Sequence, residues 1–219
     1  MCFPVVSKLH HVNAQPAGVH LHIPAVKHIS INQPFFHFCL LGSEMAPYTS
    51  PHHVGNPTLV FTRDKEMAIG PKDLSIVWGK DNRYWNWETA SGTDDGVELS
   101  QVSWLEVTGC VDRTIAKKDY EVVFQLSLNQ DAFGWGTTPI YIMVKRGKQG
   151  KFGWRKYNLE SYRPQQKFEI SVRLNAEKSG QSGSGSSSDE KLYFGMYEVW
   201  SGKWKGGLKI HGVLVKEVR

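Results

Sequence analysis

From residue 70 onward, apolar and polar side chains alternate with a period of two, and no stretch there sustains a helical period over three turns. Leu74, Ile76 and Trp78 alternate with Ser75 and Val77. Tyr120, Val122, Phe124, Leu126 and Leu128 alternate with Glu121, Val123, Gln125, Ser127 and Asn129. The pattern returns at Ile140, Ile142 and Val144, at Phe168 to Leu174 and at Leu192, Phe194 and Met196, and it closes with Leu208, Ile210 and Leu214. Successive side chains of a strand point to opposite faces, so this pattern buries one face and leaves the other wet or partly covered. Val97 to Val107 is apolar on both faces and reads as one central strand. Turn residues separate the runs at Gly79-Lys80-Asp81-Asn82, Ser91 to Gly96, Gly134-Trp135-Gly136 and Gly147 to Gly150. Strands punctuated in this way predict an all-β fold, an antiparallel β-sandwich of jelly-roll type over residues 70–219.

The composition changes sharply at the start of that region. Eight of the nine histidines and seven of the ten prolines precede residue 70. Proline interrupts both helices and central strands, so residues 1–69 are expected to be a Pro/His-rich leader that is disordered or loosely packed. His10-His11, His20-x-His22 and His52-His53 are imidazole pairs of a kind that metals use. Histidines scattered through such a leader are expected to be solvated, and no metal site is predicted. The tract Ser179 to Ser188 is nearly all Gly and Ser and reads as a flexible loop between two strands.

The net charge of +5 and pI of about 9.0 raise the question of nucleic acid. The basic residues are dispersed, however, and the densest groups, Lys145 to Lys156 and Lys203 to Lys209, read as loops and a strand edge. Cys2, Cys39 and Cys110 are odd in number and form no C-x-x-C pair, which gives neither a disulfide framework nor a zinc site and points to a reducing compartment. No basic segment leads into a long apolar run, and the apolar stretch Phe35 to Leu41 is too short to span a bilayer. The expected location is the cytosol or nucleus, without membrane insertion.

Enzymatic signatures are missing. There is no G-x-S-x-G, no H-E-x-x-H and no phosphate-cradling loop followed by a helix. His211, the single histidine after residue 70, is expected on an exposed strand face. A glycosidase needs two carboxyls facing each other at ~5–9 Å. Glu98, Glu106, Glu121, Glu169 and Glu198 lie in or beside strands but form no tight acidic cluster. The chain therefore reads as a non-enzyme that needs no cofactor.

The densest chemical feature is Trp78-Gly79-Lys80-Asp81-Asn82-Arg83-Tyr84-Trp85-Asn86-Trp87, with a second aromatic group at Tyr197 to Trp204. This mixture suits sugars: the C–H face of a pyranose stacks on an aromatic ring, while hydroxyl and acetamido groups need fixed donors and acceptors.

The same residues carry a family resemblance. Lys72 to Gly79 and Arg83 to Trp87, then Val97-Glu98-Leu99, Val102 to Gly109, Tyr120 to Phe124, Gly134-Trp135-Gly136, Met196-Tyr197-Glu198 and Trp204 to Val213 resemble, in order, the phloem protein 2 (Nictaba-like) lectin domain of plants. The first 65 residues match no part of that family. The resemblance implies a nucleocytoplasmic jelly-roll lectin, also found in phloem sap, that binds N-acetylglucosamine oligomers and N-glycan cores on glycoproteins. The family's sugar-site tryptophans fall on Trp78 and Trp85, and a glutamate falls on Glu198. A second family glutamate falls on Lys191, a departure that removes one acceptor. On this reading Trp85 is the stacking platform and Glu198 an acceptor. Trp78 is either a second wall or core, its alternation with Leu74 and Ile76 favouring core. Tyr84 and Asn82 join by position. Weak binding per sugar would call for an oligomeric glycan or a homodimer. The alternative is an interaction module of the same fold that has lost sugar binding.

Overall fold

The structure, a computed structural model, describes residues 50–56, 61–63, 66–87, 96–112, 118–176 and 191–218. Its strands are β1 (Phe61–Arg63), β2 (Glu66–Ile69), β3 (Ser75–Ile76), β4 (Trp85–Asn86), β5 (Val97–Leu99), β6 (Leu105–Val111), β7 (Asp119–Phe133), β8 (Ile140–Arg146), β9 (Gly153–Tyr157), β10 (Lys167–Leu174), β11 (Leu192–Glu198) and β12 (Gly206–Val218). Two short 3-10 turns, Pro71–Asp73 and Leu159–Ser161, are the only helical pieces among the described residues.

The strands form two antiparallel sheets. In the seven-stranded sheet β12 is the axis: β7 runs along one side of it, with β10 beyond. On its other side β12 is shared, Leu208–Ile210 pairing with β5 and Val213–Lys216 with β2. The five-stranded sheet has the order β3-β6-β11-β8-β9. The inward rows predicted from alternation meet between the sheets, where Phe124 of β7 and Phe194 of β11 touch edge-on with centroids 6.0 Å apart. Val107, Ile142 and Met196 face Leu126, Ile170 and Ile210 in the same core, all of them buried. Each such side chain contributes roughly 1.5–3 kcal/mol relative to exposure, so packing between the sheets supplies the main stabilisation of the described residues.

Three expectations change. The apolar run Val97 to Val107 is two strands rather than one, β5 in the seven-stranded sheet and β6 in the five-stranded sheet. Residues 100–104 cross between the sheets, with Val102 bridged to Lys205, so a run that looks apolar on both faces is a change of sheet. In β12 the register shifts between Ile210 and Gly212. The bulge reverses the phase, so Val213 and Val215 are buried and Leu214 is half-buried. His211 is half-buried rather than exposed, with Ser127 Oγ 2.9 Å from its Nε2.

The ordered sheet also begins earlier than residue 70. β1 and β2 lie in the stretch assigned by composition to the leader, and His53 bridges Ile76. Residues 1–49, with His10-His11 and His20-x-His22, lie outside the described residues, as do the tract Ser179 to Ser188 and most of the turn at Ser91 to Gly96. Among the described residues no helix is long and apolar enough to cross a membrane, and no group of His, Cys, Asp and Glu is arranged to hold a metal.

Candidate functional site

The chain leaves β3 through two consecutive turns. Gly79 N–H donates to Ile76 O at 3.0 Å and Asp81 N–H to Trp78 O at 2.9 Å. Asp81 O then accepts from both Tyr84 and Trp85 N–H at 3.0 Å, while its carboxylate accepts from Arg83 N–H and the Arg83 guanidinium. This geometry drives Trp78 to φ 61°, the left-handed region. For an L-residue that costs about 1–2 kcal/mol and persists only where the surroundings impose it.

The imposing surroundings are residues 50–56. Trp78 N–H donates to His52 Nδ1 at 2.9 Å, and Lys80 N–H donates to Pro51 O at 2.9 Å. A Cβ on Gly79 would fall 2.7 Å from the Cβ of His53, so only glycine lets the segment lie this close. The Trp78 ring is held between His52, 5.1 Å away, and Tyr84, 5.9 Å away, yet stays 38% exposed. His52-His53 is thus a structural clamp rather than a solvated pair, His53 Nε2 lying 2.9 Å from Lys72 O.

The two tryptophans lie opposite to expectation, Trp85 turned inward and Trp78 outward. Trp85 is 1% exposed, pairs with Leu99 and donates its indole N–H to Val77 O at 3.1 Å. Its ring belongs to the core and offers no open face to a ligand. Trp78 escapes the core because positive φ takes it out of the alternation that ends at Ile76. Trp87 is half-buried, donates to Gly79 O at 2.5 Å and packs against His53 at 4.7 Å. Tyr84 is half-buried beside Trp78, with the Arg83 guanidinium 5.4 Å from its centroid, and Asn82 is exposed on the turn.

Beside Trp78 lies a shallow recess of about 10 Å³, room for roughly one water, walled by His52, His53, Ile76 and Val77, with Ser75, Glu106 and Thr108 as its polar lining. Glu106 Oε2 accepts the indole N–H of the exposed Trp104 at 2.9 Å. Burial raises the pKa of Glu106, and the Trp104 hydrogen bond partly opposes that rise. Burial also lowers the pKa of His52. From the sequence, Glu106 stands out only as one of the strand glutamates that could form an acid pair. The signal in the sequence is the spacing of Trp104 and Glu106, two apart at the entry to β6.

Glu198 sits elsewhere. It is 2% exposed and forms an ion pair with the Nζ of Lys205, which is itself 0% exposed. Ser201 N–H and Oγ–H donate to its two carboxylate oxygens at 3.1 and 2.9 Å, and Lys205 Nζ also donates to Ser103 O at 3.0 Å. The carboxylate therefore fastens the 199–205 loop, which displays Trp200 and Trp204, and does not face solvent. In the register of β6 with β11, Glu106 stands opposite Tyr197 and Glu198 opposite Leu105, so the two acids project from opposite faces of the sheet. Lys191 lies at the other end of β11, roughly 23 Å along the strand from Glu198, and pairs with Asp112 at 3.1 Å. Of the five residues singled out in the sequence, the structure gathers Trp78 and Tyr84 at one exposed point with Asn82 on the adjoining turn, and it sends Trp85 and Glu198 inward.

A family model described as Phloem protein 2 matches residues 64–217, from just before β2 to the end of β12. Protein PHLOEM PROTEIN 2-LIKE A9 of Arabidopsis thaliana is 36% identical over 186 residues, 80% of this chain and 100% of that protein. Protein PHLOEM PROTEIN 2-LIKE A1 of the same plant is 33% identical over 152 residues, 66% of this chain and 58% of its own length. A lectin of Luffa acutangula is 32% identical over 79 residues, 34% of this chain and 37% of the lectin. The chain thus spans the first relative fully and the other two in part. Its sequence from β2 onward, carried on two antiparallel sheets, belongs to the phloem protein 2 family.

Proposed function

We propose that this protein is a lectin that binds N-acetylglucosamine oligomers or N-glycan cores on glycoproteins, using the exposed Trp78 ring and the turn that follows it. The observation that carries the reading is Trp78 itself: a large apolar ring kept exposed at a backbone conformation that costs free energy. Strain of this kind gathers at ligand sites. The indole would stack on the C–H face of a pyranose. The exposed Asn82 and Arg83 of the adjoining turn would supply polar contacts to its hydroxyl and acetamido groups. The lectin name borne by the Luffa acutangula relative supports the ligand class.

Binding without hydrolysis is the reading that fits Glu106 and Glu198, which do not converge on a common sugar. A shallow platform gives weak affinity per ring, so an oligomeric glycan or a homodimer would supply the strength needed. The odd cysteine count, with no C-x-x-C pair, agrees with a cytosolic or nuclear protein.

One observation favours a second reading, an interaction module without sugar binding: the Glu198 carboxylate is fully engaged by Lys205 and Ser201. Calorimetric titration of the full chain with chitotriose and with the N-glycan core pentasaccharide separates the two. Saturable heat with either sugar supports the lectin. Absence of heat with both supports the interaction module.

A further inference from the structure

The outer face of the five-stranded sheet carries a second aromatic group, remote in sequence from the Trp78 turn. Tyr141 of β8 stands opposite Lys156 of β9, and Met143 stands opposite Trp154, so all four project from the same face. The Trp154 ring lies 6.1 Å from the Tyr141 ring at 46°. Trp200, carried on the loop after β11, meets Tyr141 from another direction at 4.9 Å and 73°. Tyr141 is half-buried, whereas Trp154 is 57% and Trp200 45% exposed. The result is an aromatic cluster on the sheet surface, with the phenol in the middle and two inclined, exposed indoles against it. Core packing explains neither indole.

On the β9 side of the cluster the charge is of one sign, while Glu106 shares the face on the other side, opposite Tyr197, which stands opposite Tyr141. From Lys145 to Asn158 the chain carries Lys145, Arg146, Lys148, Lys151, Arg155 and Lys156 and no acidic residue. Lys145 and Arg146 are buried and committed, Lys145 to Lys148 O and Arg146 to Lys118 O. Lys156 is exposed and stands in register with Tyr141. A ligand complementary to this face has apolar ring faces to stack and a carboxylate at the ring edge to meet the ammonium. A nucleic-acid strand needs a groove of cations following its phosphates. A single lysine in register with Tyr141 forms no such groove.

We propose that the Tyr141–Trp154–Trp200 cluster is a second glycan site, selective for oligosaccharides containing uronic acid, with Lys156 on its β9 side as the carboxylate-recognising residue. It is independent of the Trp78 site, and its test does not require that site to function.

The full chain is titrated with tetragalacturonate at low salt, following tryptophan fluorescence. The expected result is saturable binding that weakens as sodium chloride is added. Trp154→Ala should lower affinity by about ten-fold, the size of one lost stacking contact. Lys156→Gln, a substitution on an exposed edge strand, should also lower it, and Trp78→Ala should leave it unchanged. In the converse arm, Trp154→Ala leaves any chitotriose response as in the wild type. Absence of saturable binding, equal affinity in Trp154→Ala, or indifference to Lys156→Gln would overturn the proposal. So would single-stranded oligothymidylate that binds more tightly than the uronide and loses that binding in Trp154→Ala.

Discussion

The backbone N–H of Trp78 donates to Nδ1 of His52 at 2.9 Å, and the two rings lie 5.1 Å apart. A residue before the first strand thereby sets the conformation of the exposed indole twenty-six positions later. Nδ1 can accept only while it carries no proton, so the bond requires neutral imidazole with its proton on Nε2.

Acid should therefore release Trp78. Burial holds the pKa of His52 below its ordinary value of 6.5. For a histidine favoured in the neutral form, the stabilisation is complete above that ordinary value and is lost as pH falls through the lowered one. Chitotriose affinity measured against pH should be flat above 6.5 and decline on the acid side, while His52→Ala should bind weakly with that decline removed.

Trp85→Ala should lower stability by about 3–5 kcal/mol, as for any large aromatic cut from a core. Urea unfolding followed by circular dichroism measures this. Loss of sugar binding in that variant would report unfolding, since its ring is 1% exposed.

Removing one partner of the Glu198–Lys205 pair should be as severe. Glu198→Ala leaves Lys205, 0% exposed, without its counter-charge, and should cost about 3–5 kcal/mol. The double variant Glu198→Leu with Lys205→Met should recover most of that loss, because apolar replacement of a buried pair is often neutral. Urea midpoints of the single and double variants give the comparison.

Glu106→Gln tests the recess. A carboxylate whose folded pKa is raised is penalised in its charged form, so stability falls as pH rises from the ordinary value of 4.5 through the raised one. Glutamine keeps an acceptor for the Trp104 indole but carries no charge. The variant should match the wild type at pH 4 and exceed it in thermal midpoint at pH 7.

The sandwich was legible because alternation survives wherever one sheet face is buried, as in β7, β10 and β11. What escaped depends on breaks in that rule. The bulge at Gly212 reverses phase inside a continuous strand, and residues 100–104 carry an apolar run from one sheet to the other. The site was half legible. The turn from Trp78 to Trp87 is conspicuous in the sequence. Which indole faces out is decided by one φ angle and by a clamp from residues 50–56, and neither leaves a periodic trace. Glu198 was expected to face a ligand, but its environment is set by Lys205, which the chain brings back only through the 199–205 loop.

The most direct test of the central claim is chitotriose titration of Trp78→Gly beside the wild type, with the thermal midpoint of each. Glycine keeps the N–H to His52 and relieves the left-handed conformation, which offsets the flexibility it adds to the unfolded chain. The variant should melt within a few degrees of the wild type while losing at least about ten-fold in affinity, the size of one aromatic stacking contact. Wild-type chitotriose affinity in a folded Trp78→Gly protein would contradict the account.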